Sequence, residues 1–234
     1  MINREQYFEF VHDYPALFRN PDSDNAGIHI ITDETKIEQI EQDMARRLAD
    51  KGLPREWAQV GVVYQDQYIT MLRDAVYFQP GSHPGTYIRN FNKDNVPGIV
   101  ILPIYNDKVC LIRIYRHALR RYVYEIPRGF GEKGLSEIEN ALRELREEIG
   151  GVIKNITPLG YMSENSGMMG GKAALFLADL KFLNYSVDKT EGIERVHLVS
   201  KQTFLTMMRD GEIDDAYTLC AAIRAMLRGC LATS

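Results

Sequence analysis

Between Gly129 and Val152 the chain reads G-F-G-E-K-G-L-S-E-I-E-N-A-L-R-E-L-R-E-E-I-G-G-V, a glycine-rich loop running into a helix whose start and stop are both written locally. Ser136-Glu137-Ile138-Glu139 has the spacing of a capping box, in which the serine hydroxyl and the Glu139 carboxylate each satisfy a backbone donor of the first turn. Gly150 and Gly151 supply the left-handed stop. Ile138, Ala141, Leu142, Leu145 and Ile149 recur at steps of three and four, which predicts one apolar stripe against a core. At about 100° per residue, Glu144, Glu147 and Glu148 crowd one side of this helix. Arg143 is spaced to pair with Glu147, and two carboxylates remain, for which a hard, oxygen-seeking cation such as Mg²⁺ or Mn²⁺ is the natural counter-charge. An isolated run of this kind is more often a solvated, charge-laced face. The surrounding residues decide between the two readings.

The strand pattern places this helix. Trp57–Tyr64, Tyr68–Phe78 and Thr86–Phe91 are rich in Val, Tyr, Ile and Thr, with Gln79-Pro80-Gly81-Ser82 as a turn between the second and third. Gly98–Ile104 and Lys108–Tyr115 flank Tyr105-Asn106-Asp107 as a hairpin, and Tyr122–Ile126 leads into the glycine loop. After the helix, Ile156–Met162, Ala173–Leu183 and Val196–Val199 read as strands, with helices at Lys201–Arg209 and Asp215–Arg228. Mixed strands between a central and a C-terminal helix predict an α/β/α sandwich.

A length of 234 residues, 45% of them hydrophobic, suits one cored domain and an N-terminal extension. The break falls near Gly52-Leu53-Pro54. Residues 1–53 read as the extension, with a helix from Asp33 to Lys51 capped by Thr32, and residues 54–234 as the domain. The net charge of −4 is spread without a basic block, which argues against a nucleic-acid surface. No apolar run approaches the roughly 18–20 residues of a membrane span, and the start M-I-N-R-E-Q lacks a secretory core, so no membrane attachment and a cytoplasmic protein are expected. Cys110, Cys220 and Cys230 lack metal-ligand spacing and read as reduced thiols. The five histidines are scattered and read as structural.

The segment from Gly129 resembles the Nudix box, G-x5-E-x7-R-E-U-x-E-E-x-G-U with U apolar, at Gly129, Arg143, Glu144, Leu145, Glu147, Glu148 and Gly150. Leu135 stands where that family's first glutamate belongs, and Gly151 where its last apolar residue belongs; Glu132 is the nearby carboxylate that would substitute for the first. The resemblance implies the α/β/α sandwich and metal-dependent hydrolysis of a nucleoside diphosphate linked to another group. Within the family the chain looks most like the ADP-ribose pyrophosphatase branch, over most of residues 57–228. That likeness assigns Glu144, Glu147 and Glu148 to Mg²⁺ or Mn²⁺, with a backbone carbonyl of Arg128 or Gly129 as a further ligand. It assigns Arg116 to the substrate phosphates, a role that suits a planar, two-pronged donor, with Arg113 a weaker candidate. Glu125 lies in the strand that leads into the box, and Arg143 holds Glu147. Glu191 in Thr190-Glu191-Gly192-Ile193-Glu194 is the candidate base. The branch implies ADP-ribose or a related nucleotide sugar as substrate and a homodimer built with residues 54–95. Trp57, Tyr64, Tyr68 and Tyr77 could stack on a base or pack across strands. With Leu135 in the box, a catalytically weak ligand sensor is the alternative.

Overall fold

The computed structural model describes residues 2–22, 27–79, 82–187 and 189–231. The chain divides into two compact units, Met1–Asn95 with Asn165–Gly170, and Val96–Glu164 with Gly171–Ser234.

In the first unit, helix α1 (Arg4–Asp13) is followed by strand β1 (His29–Ile31), helix α2 (Glu34–Ala49) and strands β2 (Gly61–Gln65), β3 (Ile69–Tyr77) and β4 (Pro84–Asn92). These strands pair antiparallel: β4 runs the length of β3, and β1 and β2 share its other edge. Asp74 of β3, 1% exposed, accepts a hydrogen bond from Tyr7 of α1 at 2.8 Å and is paired with Arg89 of β4 at 2.6 Å, so its buried charge is compensated. Ile37 and Ile40 of α2 join Leu72, Ala75 and Phe91 in one core. Helix α2, expected inside an extension that ends at residue 53, therefore shares its core with the strands that follow.

Two local expectations are corrected here. Asp33, not Thr32, caps α2: its side chain accepts from the Lys36 N–H, and one residue earlier the oxygen would not reach the first turn. Trp57 lies in a 3₁₀ turn, Arg55–Ala58, set off by Pro54, and the strand begins only at Gly61. Helix α1 and strand β1 are absent from the sequence reading, although Tyr7, Phe10 and Val11 of α1, at steps of three and four, pack on the core of this unit. Pro80 and Gly81 of the expected turn lie outside the described residues.

The second unit contains β5 (Gly98–Tyr105), β6 (Lys108–Arg116), β7 (Arg121–Glu125), β8 (Arg128–Gly129), α3 (Glu137–Ile149), β9 (Gly151–Met162), β10 (Ala173–Leu183), β11 (Ile193–Ser200), α4 (Lys201–Arg209) and α5 (Ala216–Leu227). Its sheet runs β11-β6-β5-β10-β9, with β10 parallel to β5 and the other neighbours antiparallel. Side chains alternate across β5: Ile99 and Ile101 meet Ala141, Leu145 and Ile149 of α3, whereas Val100 and Leu102 meet Phe204 of α4 and Ala221 and Ala225 of α5. The result is an α/β/α sandwich with a mixed sheet. Asn106 and Asp107 take φ of +48° and +60°, the twist a two-residue hairpin needs. Strands β5 and β6 share register only at Ile104–Val109 and Tyr105–Lys108 and then part. Beyond that point β6 pairs with β7 and β5 with β8, which opens a wedge in the sheet.

Helix α3 starts and stops as its sequence dictates, with the Ser136–Glu139 capping box formed and Gly150 left-handed at φ +62°. Its buried face, however, is turned from the expected stripe. Ile138 and Leu142 are 43% and 37% exposed, while Asn140, Glu144 and Glu148 are buried beside Ala141, Leu145 and Ile149. The ridge 140-144-148 has four-residue spacing, so these three polar side chains stand in line on one face.

Candidate active site

The polar ridge of α3 faces the glycine loop. At its N-terminal end Asn140 ties the loop down: its side-chain oxygen accepts from the Glu132 N–H at 2.9 Å and its amide donates to the Ser136 carbonyl at 3.2 Å. In the middle, a Cβ built on Gly129 would sit 2.2 Å from a Glu144 carboxylate oxygen, so the glycine lets backbone and carboxylate approach. At the C-terminal end, the Arg128 N–H donates to Glu148 at 3.1 Å. The wedge between β5 and β6 thus lays Arg128-Gly129 directly on the two buried carboxylates.

Arg143 gathers the outer acids. It donates to Glu147 at 2.7 Å, to Glu144 at 2.5 Å and to the Phe130 carbonyl at 3.0 Å, and its Nε lies 3.4 Å from Glu132. Glu147, whose side chain is 49% exposed, stays outside the buried pair. Glu132 meets Arg143 at the loop's rim.

This arrangement strains the charge balance. Burial, together with the carboxylates of Glu147 and Glu191 and against the pull of Arg143, pushes Glu144 up to about 7. Burial also raises Glu148 well above the ordinary carboxylate range, helped by Glu144 and Glu191 and opposed by the Arg128 N–H. Glu191, on the exposed turn Lys189–Glu191 before β11, is near enough to act on both. Two desolvated carboxylates, a third acid within electrostatic reach and oxygen donors throughout suit a hard divalent cation, which would let both stay ionised. Among the described residues no three acids, histidines or cysteines are already gathered as a metal cage. Glu144 is turned to Arg143 and Glu148 to the loop backbone.

A second cluster adjoins the first. Glu125, 1% exposed, receives both prongs of Arg116 and has Arg128 Nε at 3.5 Å. Burial works against the charge on Arg116, but Glu125, with Glu148 and Asp215 beyond it, more than offsets this and raises its pKa. The Arg128 guanidinium lies 4.4 Å from the centre of the Tyr217 ring and 3.8 Å from Asp215. Asp215 caps α5 through the Thr218 N–H at 2.8 Å, and the Thr218 hydroxyl accepts from the Ile126 N–H at 3.1 Å. The start of α5 is thereby fastened to the strand that enters the loop.

Glu144, Glu148, Arg116, Glu125, Arg128, Gly129, Arg143 and Glu147 are therefore neighbours. Arg113 is not among them. An odd offset along β6 turns it to the face opposite Arg116, where it pairs with Glu194 and lies 4.2 Å over Tyr122. Asp215, Tyr217 and Asn140 are the residues the sequence reading did not place at the site. Asn140 left a signal, a polar residue four before Glu144 on a helix whose next position is apolar. Asp215 and Tyr217 left none, since only the fold brings α5 to the loop. Trp57, Tyr64 and Tyr68 belong to the first unit and are 50%, 50% and 55% exposed.

Comparison with known proteins agrees with this geometry. The model of the NUDIX domain matches residues 94–215. The ADP-ribose pyrophosphatase of Bacillus subtilis (strain 168) is 32% identical over 130 residues, which cover 53% of this chain and 70% of that protein. The ADP compounds hydrolase NudE of Escherichia coli (strain K12) is 27% identical over 138 residues, 58% of this chain and 74% of its own length. A crystal structure of an ADP compounds hydrolase shares the fold, with a TM-score of 0.62 at 24% identity over 73% of this chain and 92% of that one. No helix among the described residues is long and apolar enough to cross a membrane.

Proposed function

The chain belongs to the Nudix family as a pyrophosphohydrolase, and from that premise we propose that it cleaves the diphosphate of ADP-ribose or a related nucleotide sugar, releasing a nucleoside monophosphate and a sugar phosphate. The observation that carries this reading is the pair Glu144 and Glu148, buried under the Arg128-Gly129 backbone beside the Arg116–Glu125 bridge. The names of the two relatives, which both concern ADP compounds, support the choice of substrate.

Glu144 and Glu148, with Glu147 at the rim, are the residues that would hold Mg²⁺ or Mn²⁺. Bound there, the ion supplies charge neutralisation for the diphosphate and lowers the pKa of a water. The protein's own groups do the rest. Arg116, whose fork is held by Glu125, offers its remaining N–H groups to a phosphate from a fixed position, so little ordering is needed on binding. Arg143 keeps Glu147 and Glu144 apart from each other's charge. Glu191, on an exposed turn near both buried acids, takes the proton from the attacking water. A homodimer formed with residues 54–95 and a cytoplasmic location belong to the same reading; light scattering in solution tests the first.

The test is Mg²⁺-dependent release of AMP from ADP-ribose, run beside GDP-mannose, UDP-glucose and dATP, with Glu148→Gln as control. Preferred cleavage of ADP-ribose and a loss of orders of magnitude in the variant is the expected result. Cleavage of another diphosphate moves the substrate. Ligand binding without turnover would mean that Leu135 marks a lost activity.

A further inference from the structure

The first unit contains a groove with no part in the chemistry above. It has a volume of about 580 Å³ and runs between Met44 and Leu48 of α2, the turn carrying Trp57, Ile88 of β4 and Met168, with Arg73 of β3 among its lining residues. Arg73 and Ile88 are register partners, so both stand on the face of the sheet that α2 covers.

Two features of the groove are unusual. Arg73 is only 8% exposed, yet no carboxylate pairs with it among the described residues; its one good hydrogen bond is to the Gln59 carbonyl at 3.0 Å, with the Glu56 carbonyl at 3.5 Å. A guanidinium has five donors in a fixed fork, and a buried cation without a counter-charge is costly. Elsewhere in this unit the rule is kept: Asp74 has Arg89, and Arg4 has Glu41. The second feature is Trp57, the chain's one tryptophan, left 50% exposed on a rim that also carries Met168, 48% exposed. A large flat ring above an apolar trough, with an uncompensated cation in the lining, matches one kind of molecule.

We propose that this groove binds a small organic anion with a flat ring system, the ring against Trp57 and the oxyanion on Arg73. The volume falls within the range of small-molecule sites. Guanidinium and oxyanion are matched in geometry as well as charge, and the ring contributes stacking on an aromatic face. The homodimer proposed above would use other surfaces of residues 54–95; within the groove a second copy is the less suitable occupant, because a protein surface closing over the rim would have to send an acidic side chain down to Arg73. The groove lies wholly within the first unit and does not depend on the activity proposed for the second.

The probe is adenosine monophosphate, with inorganic phosphate and uncharged adenosine as its separate halves. Trp57 reports binding through its own fluorescence, free of any other tryptophan. Adenosine monophosphate is expected to produce a saturable change, and each half to bind at least about tenfold more weakly. Arg73→Gln and Met168→Glu should each weaken binding by at least about tenfold. The second variant leaves the Arg73 contacts intact and stands as the test if the first fails to fold. Arg116→Met/Glu125→Met, in the other unit, should leave the signal unchanged. No saturable change, equal binding of adenosine and its monophosphate, or loss of the signal in that double variant overturns the proposal. So does a Trp57 signal that depends on protein concentration alone, which would show that a second copy covers the groove.

Discussion

Replacing Gly129 by alanine should separate folding from chemistry at this site. The backbone there is not in the left-handed region, so alanine is tolerated locally. The new methyl, however, would lie 2.2 Å from one Glu144 oxygen and 2.4 Å from the other. Ordinary contact needs about 3.5 Å, so the carboxylate must retreat by about 1 Å. It can do so cheaply, because it ends a flexible side chain, and the expected stability cost is below about 1 kcal/mol. Catalytic groups tolerate displacements of only about 0.5 Å, and a 1 Å error can cost about 100-fold in rate. Gly129→Ala should therefore melt close to the parent while kcat for ADP-ribose falls about 100-fold. Its thermal upshift with Mg²⁺ should shrink as well. Gly131→Ala is the contrast: its methyl would meet the Pro97 carbonyl at 2.5 Å, and backbone cannot swing aside, so stability should suffer. Undiminished activity in Gly129→Ala, or a loss of several kcal/mol of stability, would refute the reasoning.

Other consequences can be checked in the same preparation. Glu144 has an ordinary value of 4.5 and is pushed up to about 7, so between these values the unfolded chain ionises first; metal-free stability should fall as pH rises through that window, and the Mg²⁺-induced upshift in Tm should grow over it. A metal-free Tm that rises from pH 5 to 7 through this site would contradict the assignment. Arg116→Met leaves Glu125 buried without its fork and should cost on the order of 3 kcal/mol in denaturant unfolding, most of it recovered, without activity, in Arg116→Met/Glu125→Met. Leu145→Ala should cost about 2–5 kcal/mol, whereas Ile138→Ala, at an exposed position, should stay within about 0.5 kcal/mol. Equal costs would mean that the helix face has been phased wrongly.

What could be read in advance follows from the range of the interactions. The limits of α3 were legible because Ser136, Glu139 and Gly150 act on backbone groups within a few residues. Its phase was not. Patterning assumes that carboxylates face water, and here Glu144 and Glu148 are inside while Ile138 and Leu142 are outside. The Arg143–Glu147 pair follows from helical spacing, but the meeting of Arg116 with Glu125 depends on the register of β6 against β7, and that of Arg128 with Tyr217 on α5 packing beneath the loop. In the first unit, β-propensity puts Trp57 in a strand, whereas Pro54 sets off a tight turn before the chain extends.

The parallel pairing of β5 with β10 has a consequence for the birth of the protein. Gly98 finds its partner Ala173 roughly 75 residues later in the chain. At about 5–20 residues per second, a ribosome would release β5 some 4–15 s before β10. During that interval β6 and β8 can pair with one edge of β5 while the edge meant for β10 stays open, and the stretch Gly98–Tyr105, G-I-V-I-L-P-I-Y, is almost wholly apolar. The nascent chain thus carries an open, sticky edge whose exposure is set by translation speed, and Pro103, which cannot donate to a neighbouring strand, is the one residue within it that discourages pairing with a stranger.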